Sequence, residues 1–247
     1  MEAYTGFAGV YDRFMDNVPY EAWCDYICDI LVSYGIRSGL VLDLGCGTGK
    51  MTRLLRDKGY DMIGVDVSGE MLEIAREHED EGILYLQQDM REFELYGTVA
   101  AIICVCDSIN YLLEPQELAQ VFSLVHNYLD PGGIFIFDMN TPYKYRDVIG
   151  DATICENREH ESFIWENYFD EDTSVNEYDL TLFVEQENGL FARYEEFHYQ
   201  KAYEIEEVTG LLAQSGLELL AVYGENTKKQ PTDECERVYY VTKKPVT

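Results

Sequence analysis

Two rhythms of apolar and polar positions alternate along the 247 residues. Short, wholly apolar runs such as Gly39-Leu40-Val41-Leu42-Asp43-Leu44 and Met62-Ile63-Gly64-Val65-Asp66 read as strands buried on both faces. Between them lie stretches with apolar residues every three or four positions, which read as helices. The pattern predicts strands near 39–43, 61–66, 83–87, 100–105 and 133–138, and helices near 49–58, 69–78 and 115–128. Such alternation implies right-handed crossovers and a parallel sheet covered by helices on both faces. Upstream, Tyr20–Leu31 is apolar at helical spacing and follows Pro19, a favoured first-turn residue. Residues 1–35 as a whole are expected to be helical and only partly core.

The rhythm breaks over residues 146–202. Aromatic, partly alternating runs at 163–169, 177–184 and 191–199 are separated by turn signals at Asp170-Glu171-Asp172 and Glu187-Asn188-Gly189. They read as antiparallel hairpins, a small β unit inserted into the α/β core of residues 1–145 and 203–247. The core pattern then returns with a helix over Glu204–Ser215, Gly216 as its C-cap, and strands at Leu217–Tyr223 and Glu236–Thr242. No internal repeat or low-complexity segment is visible.

Chemistry enters at the end of the first strand, in Asp43-Leu44-Gly45-Cys46-Gly47-Thr48-Gly49. Glycines tolerate positive φ there and lack the Cβ that would hold a ligand off the backbone. About 20 residues later the second strand ends in Asp66, where such folds hold ribose hydroxyls. The dinucleotide fingerprint G-x-G-x-x-G would put its third glycine at position 50, which is Lys50. A carboxylate at Asp43 would also repel a pyrophosphate, whereas it suits a positively charged α-amino group. The residues therefore favour an aminoacyl nucleoside over a nicotinamide dinucleotide.

With these residues the chain resembles the class I S-adenosylmethionine-dependent methyltransferases. Val41–Gly49 resembles their first motif, Gly64-Val65-Asp66-Val67-Ser68 the second with Met71-Leu72-Glu73-Ile74-Ala75 as the following helix, and Gln88-Asp89-Met90 the loop that meets adenine. Leu129-Asp130-Pro131-Gly132-Gly133 resembles the entry to the family's fifth strand. The resemblance covers most of residues 1–150 and returns at about 200–245. It implies a Rossmann-like, mostly parallel seven-stranded sheet ending in an antiparallel pair, with S-adenosylmethionine as cofactor. It further implies that Asp43 meets the amino-acid end, that Gly45, Cys46 and Gly47 give backbone access, and that Asp66 takes the ribose hydroxyls. Val67, Met71, Asp89 and Met90 frame the rest of the nucleoside in this reading. Tyr4 and Tyr11 belong to an N-terminal lid that folds over the cofactor. Asp107-Ser108-Ile109-Asn110-Tyr111 follows the fourth strand and faces the methyl in related enzymes. Asp107 is therefore a candidate for both cofactor contact and catalysis, and Asn110 and Tyr111 for acceptor contact. An insertion after the fifth strand often caps the acceptor site, which brings in Trp165 as an acceptor wall and His198 as a possible base. Asn140-Thr141-Pro142-Tyr143 resembles the Asn-Pro-Pro-Tyr motif of amino-group methyltransferases but lacks one proline and follows the wrong strand.

Charge and composition narrow the partners. A formal charge of −29 opposes extended contact with nucleic acid, and basic residues cluster no further than short pairs such as Lys228-Lys229. A small neutral or cationic acceptor fits that balance, and the twenty tyrosines offer walls for cation–π contact. The seven cysteines are scattered, with neither C-x-x-C spacing nor nearby histidines, so no metal site is expected. No apolar run approaches the roughly 18 residues of a membrane span, and the start shows no secretory pattern, so a cytoplasmic protein is expected.

Methyl transfer from a sulfonium is an in-line displacement that needs alignment and water exclusion more than a fixed triad. A base matters only where the acceptor loses a proton. The expected activity is methylation of a small molecule. A non-catalytic cofactor-binding protein and a nicotinamide oxidoreductase remain as alternatives on a related fold.

Overall fold

The computed structural model describes residues 12–16, 18–78 and 82–246. Helix α1 (Tyr20–Ser33) buries Tyr20, Cys24, Ile27, Ile30 and Leu31, a stripe set by their three- and four-residue spacing. Pro19 stands at its N-cap, one position before the first turn. The alternation then runs β1 (Leu40–Leu44), α2 (Lys50–Asp57), β2 (Asp61–Asp66), α3 (Gly69–Glu77), β3 (Leu84–Gln87), β4 (Val99–Cys104), α4 (Pro115–Tyr128) and β5 (Leu129–Asn140). A second run of strands follows: β6 (Thr153–Asn157), β7 (Glu161–Asp170), β8 (Val175–Glu185) and β9 (Phe191–Lys201). The chain closes with α5 (Ile205–Gln214), β10 (Glu218–Gly224) and β11 (Arg237–Lys243).

The large sheet has the order β10-β11-β5-β4-β1-β2-β3, with β1 to β5 parallel and β11 antiparallel to both neighbours. Successive strand residues point to opposite faces, so the apolar runs divide into two cores. Leu42, Ile102 and Phe135 face α4 and α5, while Val41, Ala101 and Ile134 face α1 and α2. Both faces are covered, which is why these strands are apolar throughout. The chain builds outward from β1 to β3 and then returns to add β4 on the other side of β1. That reversal opens a crevice at the carboxyl ends of β1 and β4, where ligands bind in such sheets.

β6 to β9 form a separate antiparallel sheet in that order. Two features depart from the sequence reading. β5 begins at Leu129 and passes through Pro131-Gly132-Gly133 as a bulge, since its pairing shifts between Val99–Leu129 and Ala101–Ile134. Gly132 N donates to the Lys244 carbonyl (2.8 Å) and Lys244 N to that of Gly133 (3.0 Å), which ties the bulge, with Gly132 at φ +84°, to the end of the last strand. β6 was not expected. Among the described residues it is an edge strand paired with β7 alone, and four of its five residues are exposed, which leaves no hydrophobic period to read.

Candidate active site

Two cavities open at the carboxyl ends of the central strands. The first, of about 300 Å³, is walled by the glycine turn and by Asp66, Met71, Met90 and Tyr111. Gly45 N and Cys46 N both donate to the Val65 carbonyl (2.7 and 2.9 Å), which anchors the turn to β2. At Gly45 (φ +81°) an added Cβ would lie 2.8 Å from Ser108 Oγ, so no side chain fits. At Gly47 (φ +54°) no atom of the described residues lies within 4 Å of such a Cβ, so the backbone is open to the cavity among them.

Two carboxylates stand beside this turn. Asp43 is buried and accepts from Thr52 Oγ1 at 2.6 Å. Burial pushes its pKa up to about 7, the Thr52 bond opposing and the nearby Asp66 adding to the rise. Asp66 accepts from Gly47 N (2.8 Å) and Ser68 N (2.9 Å), locking the end of β2 to the turn. Its pKa is raised by burial, with those backbone N–H groups opposing. Ser68 in turn caps α3 by accepting from Met71 N. Cys46, Val67, Met71, Asp89 and Met90 all line this cavity. The Asp89 carboxylate, however, is turned to Arg91, whose side chain holds its pKa down and bridges on to Glu117. Asp12 accepts from Thr48 Oγ1 (2.7 Å) and Tyr20 lines the wall, so the N-terminal segment reaches the turn. Tyr4 and Tyr11 lie outside the described residues.

The second cavity, of about 560 Å³, lies between residues 14–23, the ends of β4 and β5, and the smaller sheet. Phe14, Trp23, Phe163, Trp165 and Tyr178 give it aromatic walls. A buried ion network forms one end. Arg237 donates to Asp107 Oδ1 (2.7 Å) and to Asp138, while Gln200 Nε2 donates to Asp107 Oδ2 (2.8 Å). Cys106 and Asp107 are consecutive residues with positive φ (63° and 54°), and Asp107 N donates to Asp138 Oδ1 at 2.9 Å.

Two of the residues named from the sequence lie away from the first cavity. Asp107 lines the second cavity, not the first, and each of its oxygens accepts one bond, from Arg237 and from Gln200. Asn110 lines neither cavity. It is fully buried, donates to the carbonyls of Asn140 (3.2 Å) and Lys201 (2.8 Å), and accepts from Asn140 N. It is a bracket between β5 and β9. Asn140 is likewise engaged, accepting from Lys144 Nζ (3.0 Å) and donating to the Tyr145 hydroxyl (3.2 Å).

Tyr111 and Cys106 line both cavities. The Tyr111 hydroxyl lies 3.1 Å from His198 Nδ1, and His198 Nε2 lies 3.2 Å from Glu196 Oε2. His198 and Glu196 are each about 5% exposed. Trp165 and His198 both line the second cavity. Sequence reasoning passed over Glu196, Lys144, Gln200 and Arg237. A signal existed for Glu196 and Gln200, because two residues apart on a strand means the same face as His198.

Residues 41–133 match a family model described as a methyltransferase domain. The chain is 35% identical to YqeM of Bacillus subtilis (strain 168) over 248 residues, 99% of this chain and 98% of that protein. The crystal structure of an S-adenosylmethionine-dependent methyltransferase from Clostridium acetobutylicum ATCC 824 superposes with a TM-score of 0.87 at 30% identity. It covers 98% of this chain and 99% of that one. A Streptomyces venezuelae N,N-dimethyltransferase named for dTDP-3-amino-3,4,6-trideoxy-alpha-D-glucopyranose is 28% identical over 149 residues, 60% of this chain and 61% of that protein. The chain belongs to the class I S-adenosylmethionine-dependent methyltransferases. The nicotinamide alternative is thereby set aside.

Proposed function

We propose that this methyltransferase holds S-adenosylmethionine in the first cavity and methylates a small molecule seated in the second, with His198 as the base. When bound, the cofactor supplies an electrophilic methyl on a sulfonium. The residues present fit it. Gly47 leaves open space where a Cβ would intrude, Asp43 offers a carboxylate to an ammonium, and Asp66 retains lone pairs for two hydroxyls. Val67, Met71 and Met90 supply apolar surface for a base ring, and Asp89, tied to Arg91, shapes the rim.

The observation that carries the reading is the shared wall. Tyr111 and Cys106 border both cavities, so a methyl in the first and an acceptor in the second meet across them. With Nε2–H donating to the buried Glu196 carboxylate, His198 Nδ1 keeps its lone pair and accepts from the Tyr111 hydroxyl. That tautomer can take a proton from an acceptor directly or through Tyr111. An amine needs such a base, and the Streptomyces venezuelae relative is named for dimethylation of an amino sugar. The smaller sheet, within residues 146–202, then serves as the acceptor-selecting subdomain, closing the cavity with Phe163, Trp165 and Tyr178 and excluding water.

The test is a metabolite panel scored by release of S-adenosylhomocysteine, repeated with Tyr111→Phe and His198→Ala on any acceptor found. Turnover that collapses in His198→Ala while S-adenosylhomocysteine still binds supports the assignment. Full turnover in that variant would remove His198 from the chemistry.

A further inference from the structure

Hydrogen-bonding groups around the second cavity do not balance, and what is left over is all of one kind. The acceptors are met: Asp107 by Arg237 and Gln200, Gln200 Oε1 by Tyr145 and Tyr178, Asn140 Oδ1 by Lys144. Glu156, at the rim, pairs with Arg158. The donors are not met. Among the described residues, the indole N–H groups of Trp23 and Trp165 are buried with no partner. Lys144 uses one of its three N–H donors, on an amide oxygen, and forms no ion pair within 4.0 Å among the described residues. In a chain with 47 acidic residues, a half-buried ammonium without a carboxylate at its side is conspicuous.

We propose that the acceptor carries an anionic oxygen group, a carboxylate or a phosphoester, and that Lys144 is the cation that recognises it. The rings of Trp23 and Trp165 border the same cavity, and with Phe14, Phe163 and Leu180 they receive an apolar body. The polarity is opposite to the cationic acceptor that net charge and tyrosine content suggest. Net charge averages the whole surface, whereas a bound ligand meets only the groups lining its cavity. Burial and then Arg237 press the Lys144 pKa down, and Asp107, Glu236 and Asp138, none of them paired with it within 4.0 Å, only partly offset this. An arriving anion restores what burial removed. The inference rests on the second cavity being the acceptor site.

Both tryptophans of the chain line this cavity, so intrinsic fluorescence reports on it directly. The full chain, saturated with S-adenosylhomocysteine, is titrated with benzoate and phenyl phosphate, and in parallel with benzyl alcohol and benzylamine. At least one anion should bind about tenfold or more tightly than the neutral and cationic probes. Lys144→Met should erase that preference and Lys144→Arg should retain it, with S-adenosylhomocysteine affinity equal in all three proteins as the check on folding. Equal binding of the anions by Lys144→Met, tighter binding of benzylamine, or no anion bound up to about 10 mM would each overturn the inference. Anions that bind with the expected Lys144 dependence yet leave an acceptor from the panel uncompeted would overturn the acceptor reading while the anion site stands. A neutral or cationic acceptor displaced by probes of its own charge would do the reverse.

Discussion

The two cavities share a wall and are built on opposite principles. The first is made by backbone and by strand ends: a turn held to Val65, an open Gly47, and carboxylates closing β1 and β2. Its parts lie within a short stretch of chain. The second is made by side chains converging from residues 14–23, 106–111, 140–144, the smaller sheet and β11. A backbone-built pocket tolerates few ligands and few substitutions, because its shape is the fold itself. A pocket of side chains on an inserted sheet can be recut without disturbing the core. The function proposed above puts cofactor affinity in one half and acceptor chemistry in the other, and each half is open to separate attack.

The largest effect is expected in the second half. His198→Ala should lower kcat by about 10²–10⁴, with partial recovery at high pH, as loss of a general base does. S-adenosylhomocysteine affinity by calorimetry should stay unchanged. Glu196→Gln should lose less, since it keeps the imidazole but no longer fixes its tautomer. Comparable loss of cofactor affinity in His198→Ala would break the division between the halves. In the first half, Asp66→Ala should weaken S-adenosylhomocysteine by about 2–4 kcal/mol, removing a charged acceptor for two hydroxyls and the tie to Gly47 and Ser68. Asp66→Glu should also lose affinity, because the added methylene misplaces the carboxylate. An unchanged dissociation constant in a folded Asp66→Ala would remove this residue from the site.

The same contrast explains what the sequence disclosed. β1, β2, the glycine turn and Asp66 depend on neighbouring residues, so their pattern is readable without tertiary knowledge. Tyr111 and Asn110 show where reading stops. They are adjacent on a 3₁₀ turn (Ser108–Tyr111), whose three residues per turn send neighbours about 120° apart. One faces both cavities and the other is buried as a bracket, and spacing alone does not say which. Which cavity Asp107 lines is not legible from the strand before it, because Cys106 and Asp107 both take positive φ. Its partner Arg237 lies 130 positions away and carries no local signal. The antiparallel strands β7 to β9 announced themselves by aromatic alternation, but which of their residues form the cavity depends on how that sheet docks.

A smaller effect discriminates more finely, because it concerns one proton in the backbone-built half. Asp43 is buried beside Thr52, and its pKa stands at about 7 against an ordinary 3.8. In ligand-free protein at pH 6 the carboxyl is therefore mostly protonated. A cofactor ammonium requires the carboxylate, so binding below pH 7 must expel that proton. S-adenosylhomocysteine affinity should accordingly fall about tenfold between pH 8 and pH 6. Folding stability carries the opposite sign. Between pH 3.8 and 7 the unfolded chain has released this proton and the folded chain retains it, so this group favours folding progressively as pH falls. In Asp43→Asn both dependences should flatten, with affinity at pH 8 reduced to the level that wild type shows in acid. Calorimetry across pH gives the first curve and thermal melts of ligand-free protein the second, each read as wild type minus variant to remove the other carboxylates. A difference curve in which affinity and stability move together with pH would mean that Asp43 does not meet the ammonium. A flat difference would mean that the carboxyl is not held protonated at all.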